Sequence, residues 1–252
     1  MPTNRTGSAS ELWVVDYPGH RREGRISDLR LGLEGYRETA LLESPLPTAT
    51  TAEEYAASLL QRRHLLRSGV DAIIGHCAAA SIVHYLAVMT GCRFVVLLDA
   101  ELPTFDDLTR EFRQILRTIT SEDRKLPEWC IPESLRADRQ AFVAGLREHL
   151  MQALVALPFA SEDGLDTDVA DTLGEAYVDW LRYLVAGYEA HLPAWQGCAA
   201  HVISQEHALP LPWPASDVTV TRVPSGRYEL MGNPDTRVAV TRMLEGALVG
   251  GP

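Results

Sequence analysis

Short apolar runs punctuate this chain, and between several of them the apolar positions change to a helical spacing. The first run, LWVV at 12–15, is broken by Pro18-Gly19 and reads as a strand. A polar, arginine-rich stretch leads to a weakly helical 29–36, and a second strand is expected at about 40–42, closed by Pro45 and Pro47. Thr51 followed by Ala52-Glu53-Glu54 has the form of a capping box, in which the hydroxyl and the carboxylate three residues on each satisfy a backbone N–H. That helix is expected to run to about Arg67 and stop at Gly69. A buried strand follows at 70–75, then a helix of small and apolar residues at 78–90 ending at Gly91, then a second buried strand at 93–99.

Strand, helix, strand, turn, helix, strand is the order of a parallel sheet with helices on its faces, an α/β architecture. From 102 to about 192 the alternation stops, and three helices are expected at 105–118, 134–157 and 166–191, with Pro127, Pro132 and Pro158 as punctuation. Strands return at 198–204 and 218–223, and Asn233-Pro234 starts a last helix over 234–248 with proline at its first position. The expected organisation is a disordered tail over 1–10 and a single α/β domain over 11–252, with a helical insertion at about 102–192.

The chain has 252 residues, 46% hydrophobic and 23% charged, enough for a sizeable core. Its net charge of −11 argues against nucleic acid or an anionic membrane as the main partner. The four cysteines show no paired CxxC spacing, so no metal is expected. The first residues, MPTNRTGSASE, carry no apolar signal segment, and no uninterrupted apolar run is long enough to span a bilayer. A cytoplasmic protein with free thiols is the expectation.

The turn Gly75-His76-Cys77-Ala78-Ala79, between a buried strand and a helix, has the shape of a nucleophile elbow with cysteine in place of serine and alanine in place of the last glycine. Such a turn exposes its central side chain over a helix N-terminus, which favours a thiolate, the reactive form of cysteine. The N–H of Ala78 would supply half of an oxyanion hole. A small buried cysteine fits the same position. Asp99 ends the next strand, where it can orient a base or cap a turn. In the segment TRVPSGRYELMGNP, where an α/β-hydrolase presents its histidine, this chain has Arg227. Arginine cannot accept a proton, but it can stabilise a thiolate or oxyanion or bind an anion; an exposed structural arginine is the other reading. His207 lies in the loop after the preceding strand and is the candidate base, with its neighbour Glu206 as a second candidate; a solvated loop histidine is the other reading. His76 is expected to point away from the site, His84 lies on the elbow helix, and His191 and His201 read as surface or packing residues. Trp180, Tyr183, Leu184 and Tyr188 form a stripe at helical spacing that either packs inward or lines a channel for an acyl group.

In this order the parts resemble thioesterases of polyketide and nonribosomal peptide synthetases, which belong to the α/β-hydrolase superfamily. ELWVVDYPGH resembles the strand and turn near the family's oxyanion hole, and ALLESPLPTATTAEEYAASL the extended stretch and helix before the elbow. AIIGHCAAAS resembles the Gly-His-Ser-x-Gly elbow, VVLLDAELP the strand ending in the catalytic aspartate of synthetase-terminal members, and VTRVPSGRYELMGNPDTRVAVTRMLEGAL the histidine stretch and last helix. The resemblance implies an α/β-hydrolase-like sheet, mostly parallel, with a helical lid. It places Cys77 as nucleophile, Ala78 and the turn at Tyr17 as oxyanion hole, Asp99 as acid and Arg227 at the histidine position, with Tyr228, Trp180 and Tyr183 toward the substrate. It implies a carrier protein that delivers an acyl or peptidyl thioester on a phosphopantetheine arm, and no cofactor of the protein's own. Thiol exchange needs little base assistance, so acyl transfer is expected over hydrolysis. A catalytically silent binding protein and a non-covalent cyclase using the same pocket are the alternatives.

Overall fold

A computed structural model of the chain describes residues 10–19, 24–62, 69–121, 125–156, 167–208 and 212–249. Six strands form one sheet: β1 (Ser10–Val15), β2 (Tyr36–Ala40), β3 (Ala72–His76), β4 (Phe94–Leu98), β5 (Cys198–Ile203) and β6 (Asp217–Arg222), in the order β2-β1-β3-β4-β5-β6. Every pairing is parallel. The seven helices found among the described residues are α1 (Ala52–Arg62), α2 (Ala80–Thr90), α3 (Phe105–Thr120), α4 (Pro132–Ala137), α5 (Arg139–Val155), α6 (Thr167–Gly187) and α7 (Pro234–Val249). None of the described helices is long and apolar enough to cross a membrane.

The central strands β3 and β4 are apolar on both faces because both faces are covered. On one face Leu12, Ala72, Ile74, Val96, Leu98 and Val202 pack against Val240 and Leu244 of α7 and against Ile26, Leu29, Leu230 and Met231. The alternate residues of β3 face α2. There Gly75 is required by space, since a Cβ would sit 2.5 Å from Cγ2 of Val83 and 3.2 Å from Cβ of Ala79. Small residues thus let α2 start directly above the end of β3. Gly91, at φ 71°, closes α2 in the left-handed conformation.

In and beside the sheet, the second strand and the segment before it fall differently from the sequence pattern. The second strand is Tyr36–Ala40 rather than 40–42, with register Ser10↔Tyr36 to Val14↔Ala40. It is an edge strand with a mixed polar sequence, YRETA, so its own pattern is weak and pairing with β1 sets its position. Leu41 and Leu42 are buried just past its end. The expected weak helix at 29–36 is a single 3-10 turn, Ile26–Leu29, ended by Arg30 at φ 47°. Of the expected tail at 1–10, residues 1–9 lie outside the described residues, and Ser10 belongs to β1, where its pairing with Tyr36 draws it into the sheet. The expected end of α1 near Arg67 also lies outside them.

The chain divides into two compact units, one of Met1–Pro47, Ala52–Leu102 and His191–Pro252, the other of Thr48–Thr51 and Pro103–Ala190. The sheet belongs to the first. The second is helical. Thr104 opens α3 with a capping box, its hydroxyl accepting from the Asp107 N–H at 3.1 Å while Asp107 returns the bond to the Thr104 N–H. The expected helix over 134–157 is two helices, because Asp138 leaves the helical conformation and caps α5 by accepting from the Ala141 N–H at 2.9 Å. The Arg139 guanidinium donates to the carbonyls of Thr50, Val185 and Tyr188. Within α6, Trp180 and Tyr183 stack with centroids 5.8 Å apart, and Trp180 Nε1 donates to Glu111.

Candidate active site

The strand β3 ends at His76 in extended backbone, and Cys77 follows at φ 54°, the left-handed region that non-glycine residues seldom occupy. A 3-10 turn, Cys77–Ala79, then runs into α2. This is the geometry of a strand-to-helix elbow that lifts one side chain over the sheet. The strain of such a conformation is of order 1–3 kcal/mol, and surrounding packing must hold it. Here that packing is the Gly75–Val83 approach and the burial of Ala78 and Ala79.

Cys77 is half-buried. Arg227 Nη2 donates to its sulfur at 3.2 Å, and the thiol points to Glu101 Oε2 at 3.8 Å. Glu101 in turn accepts both arms of the guanidinium, Nη1 at 2.8 Å and Nη2 at 3.0 Å. Its own backbone N–H is tied to the Cys77 carbonyl at 3.3 Å, so the carboxylate and the elbow are one backbone unit. The two charges act on the sulfur in opposite directions: the guanidinium favours a thiolate, and the carboxylate opposes it. The pair is about one-third exposed, 32% for Arg227 and 35% for Glu101. At that exposure an ion pair contributes about 0–1 kcal/mol, so it yields readily to another partner.

Asp99 sits at the end of β4, at φ 41° and with no solvent exposure. Its Oδ1 accepts the Ser204 N–H at 2.7 Å and its own N–H donates to Val202 at 3.0 Å, which joins the ends of β4 and β5. His207, with a side chain 5% exposed, places Nδ1 3.7 Å from Asp99 Oδ1 and 3.5 Å from Glu101 Oε1. The loop that carries it is held from the edge strand. Arg222 Nη1 donates to the carbonyls of Ser204, Gln205 and His207 at 2.7, 2.9 and 3.0 Å. Glu206 accepts the Arg227 N–H at 3.1 Å.

Of the residues singled out in the sequence, Cys77, Asp99, His207 and Arg227 therefore converge at the C-terminal ends of β3 to β6, and Ala78 follows Cys77 directly. Glu206 joins them by holding the Arg227 backbone. Tyr17 is buried in the loop after β1, with its ring folded over Gly19 where a side chain would collide with it. Tyr228 is exposed beside Arg227 and lines an open groove of about 960 Å³ with Leu29, Met231 and Arg237. Trp180 and Tyr183 belong to the helical unit, where Tyr183 is buried. Glu101 is the site residue that the sequence pattern did not single out. Its signal was present in LLDAELP, which ends a buried strand with two carboxylates two residues apart.

The remaining histidines and cysteines have other surroundings. His84 Nε2 meets the Pro193 carbonyl at 2.7 Å, and His84 and His201 each make an edge contact with the Trp213 ring. Burial pushes the His201 imidazole down to about 4, helped by His207. It pushes the Cys92 thiol up to about 12 and the Cys130 thiol up to about 11, which leaves both unreactive at neutral pH.

The sequence matches no protein-family model and no curated protein. Solved structures do match. The NocB thioesterase domain from the nocardicin cluster has a TM-score of 0.54 at 15% identity, covering 95% of each chain. ClbQ from the colibactin NRPS/PKS pathway has a TM-score of 0.52 at 14% identity, covering 97% of this chain and all of its own. A structure of epoxide hydrolases belonging to the α/β-hydrolase superfamily, from metagenomes of hot environments, has 0.51 at 17% identity, covering 97% and 92%. What such neighbours share with this chain is the arrangement of the backbone.

Proposed function

Given an α/β-hydrolase fold with cysteine on its elbow, we propose that this chain transfers acyl groups from thioesters through Cys77, in natural-product biosynthesis, with the substrate delivered on the phosphopantetheine arm of a carrier protein. The observation that carries this reading is the contact of Arg227 with the Cys77 sulfur at a left-handed elbow residue. Two of the structural neighbours reported above, NocB and ClbQ, come from natural-product clusters and pathways.

The chemistry follows from the side chains. Cys77 sulfur attacks the thioester carbonyl, a new carbon–sulfur bond forms, and the old one breaks to release the carrier thiol. The oxyanion of the tetrahedral intermediate is met by the Ala78 N–H, with the Tyr17 turn as the second donor. Arg227 stays protonated throughout and supplies positive charge beside the sulfur. The acyl-cysteine then passes to an amine or thiol acceptor.

Incubation with a hexanoyl N-acetylcysteamine thioester tests this. Intact-protein mass spectrometry is expected to show one acyl adduct, absent in Cys77→Ala. Turnover that survives Cys77→Ala overturns the reading. The Arg227–Glu101 pair that caps the sulfur favours one second reading, a binding protein with a silent site. That reading requires Cys77 to react with iodoacetamide no faster than a thiol in the unfolded chain.

A further inference from the structure

Glu101 touches three of the sequence-derived site residues. Its carboxylate receives the Arg227 fork, stands 3.8 Å from the Cys77 sulfur and lies 3.5 Å from His207 Nδ1. Its backbone N–H donates to the Cys77 carbonyl at 3.3 Å, which ties its main chain to the elbow. Arginine at position 227 leaves the site without an imidazole there, and Arg227 cannot take a proton from an incoming acceptor. A carboxylate at hydrogen-bonding distance from the reacting sulfur can.

We propose that Glu101 is the proton shuttle of the site and the general base of the second half-reaction. The proposal rests on the reading of Cys77 as the acylated nucleophile. In the resting state the thiol proton lies toward Glu101 Oε2. During acylation that proton passes through Glu101 to the departing carrier thiolate as sulfur attacks; exchange between two sulfurs also runs through the thiolate that Arg227 stabilises, so this half-reaction depends on Glu101 far less than the next. During deacylation an acceptor N–H, S–H or O–H gives its proton to Glu101 as its heteroatom bonds to the acyl carbon. The bond from that carbon to Cys77 breaks, and Glu101 returns the proton to the Cys77 thiolate. Charge and atoms balance with no further reactant. The two-armed contact of Arg227 orients the carboxylate in the resting site, and His207 Nδ1 lies 3.5 Å from its Oε1.

Glu101→Gln keeps the shape and an acceptor for Arg227 but removes the base. Wild type, Glu101→Gln and Cys77→Ala are each mixed with hexanoyl N-acetylcysteamine thioester and glycinamide as acceptor. Thioester consumption and intact mass are followed together, and circular dichroism confirms folding. For Glu101→Gln, turnover is expected to fall by about 100-fold or more, within the usual range for a general base. An acyl adduct on Cys77 is expected to accumulate to near one per chain. A merely structural residue would not separate adduct from turnover. Glu101→Gln turning over within about threefold of wild type overturns the proposal, and so does loss of adduct and turnover together as in Cys77→Ala. Wild type that neither consumes thioester nor forms an adduct overturns the Cys77 reading itself and takes this proposal with it.

Discussion

Cys77 and Asp99 leave adjacent strands in the same left-handed backbone conformation, at φ 54° and 41°, one step past the paired residues His76 and Leu98. Two neighbouring strands thus end in strained turns at the same edge of the sheet. One turn lifts a sulfur into a half-buried position, and the other buries a carboxylate against the Ser204 N–H. Strain of this kind persists where the surrounding structure over-determines it, as the packing of Gly75 on α2 does here.

The elbow conformation separates stability from reactivity. Cys77→Gly relieves a left-handed residue of its Cβ and is expected to leave the protein within about 1 kcal/mol of wild type, on the more stable side. The same variant forms no acyl adduct. Urea denaturation and intact mass measured on one sample check both halves.

Gly75→Ala addresses the support beneath the sulfur. Its methyl group would sit 2.5 Å from Val83 Cγ2, so α2 must shift. The expected cost is about 1–3 kcal/mol, the range for overpacking a dense core. Gly75→Ala with Val83→Ala is expected to recover most of that loss, because the colliding methyl group is gone. A double-mutant cycle in urea measures the coupling.

Removal of the guanidinium by Arg227→Gln leaves the Glu101 carboxylate beside the sulfur without its counter-charge. Acylation of Cys77 is expected to slow by about tenfold or more, since the remaining neighbour disfavours a thiolate. Arg227→Lys keeps the charge but not the two-armed contact with Glu101, and an intermediate rate is expected. Stopped acylation reactions read by mass spectrometry at neutral pH distinguish the three proteins.

His201 gives a pH dependence with a definite sign. Its imidazole is held down to about 4 by burial, against 6.5 in the unfolded chain. Between those values the unfolded state binds more protons, so stability is full above about pH 6.5 and declines as pH falls toward about 4. The loss attributable to this residue is about 3 kcal/mol. His201→Leu is expected to flatten the stability profile over that window, as measured by urea melts from pH 7 to pH 4.

The parts of this fold that were legible in the sequence are those whose own residues decide them. The runs at 70–75 and 93–99 are apolar without alternation over 72–74 and 94–98 because both faces of β3 and β4 are buried, and they sit within two residues of the observed strands. Strand β2 was displaced because YRETA carries no clear alternation and takes its place from β1. The break at Asp138 was hidden because aspartate within a helical pattern reads as a surface residue until its carboxylate is seen to cap α5. Cys77 and Asp99 stand out by their positions at strand ends, and Arg227 by its place in the segment where an α/β-hydrolase carries its histidine. The carboxylate of Glu101 is visible in LLDAELP, but its role beside the sulfur is not, because that depends on a backbone bond to Cys77 and on a side chain 126 positions along the chain.

Arg222 lies on the outermost strand, yet a single nitrogen of its guanidinium gathers three carbonyls of the loop that carries Glu206 and His207. The rim of the sheet is in this way mechanically geared to the reaction centre. Substitutions there retune the distance between imidazole and carboxylates while every group that faces the sulfur keeps its identity.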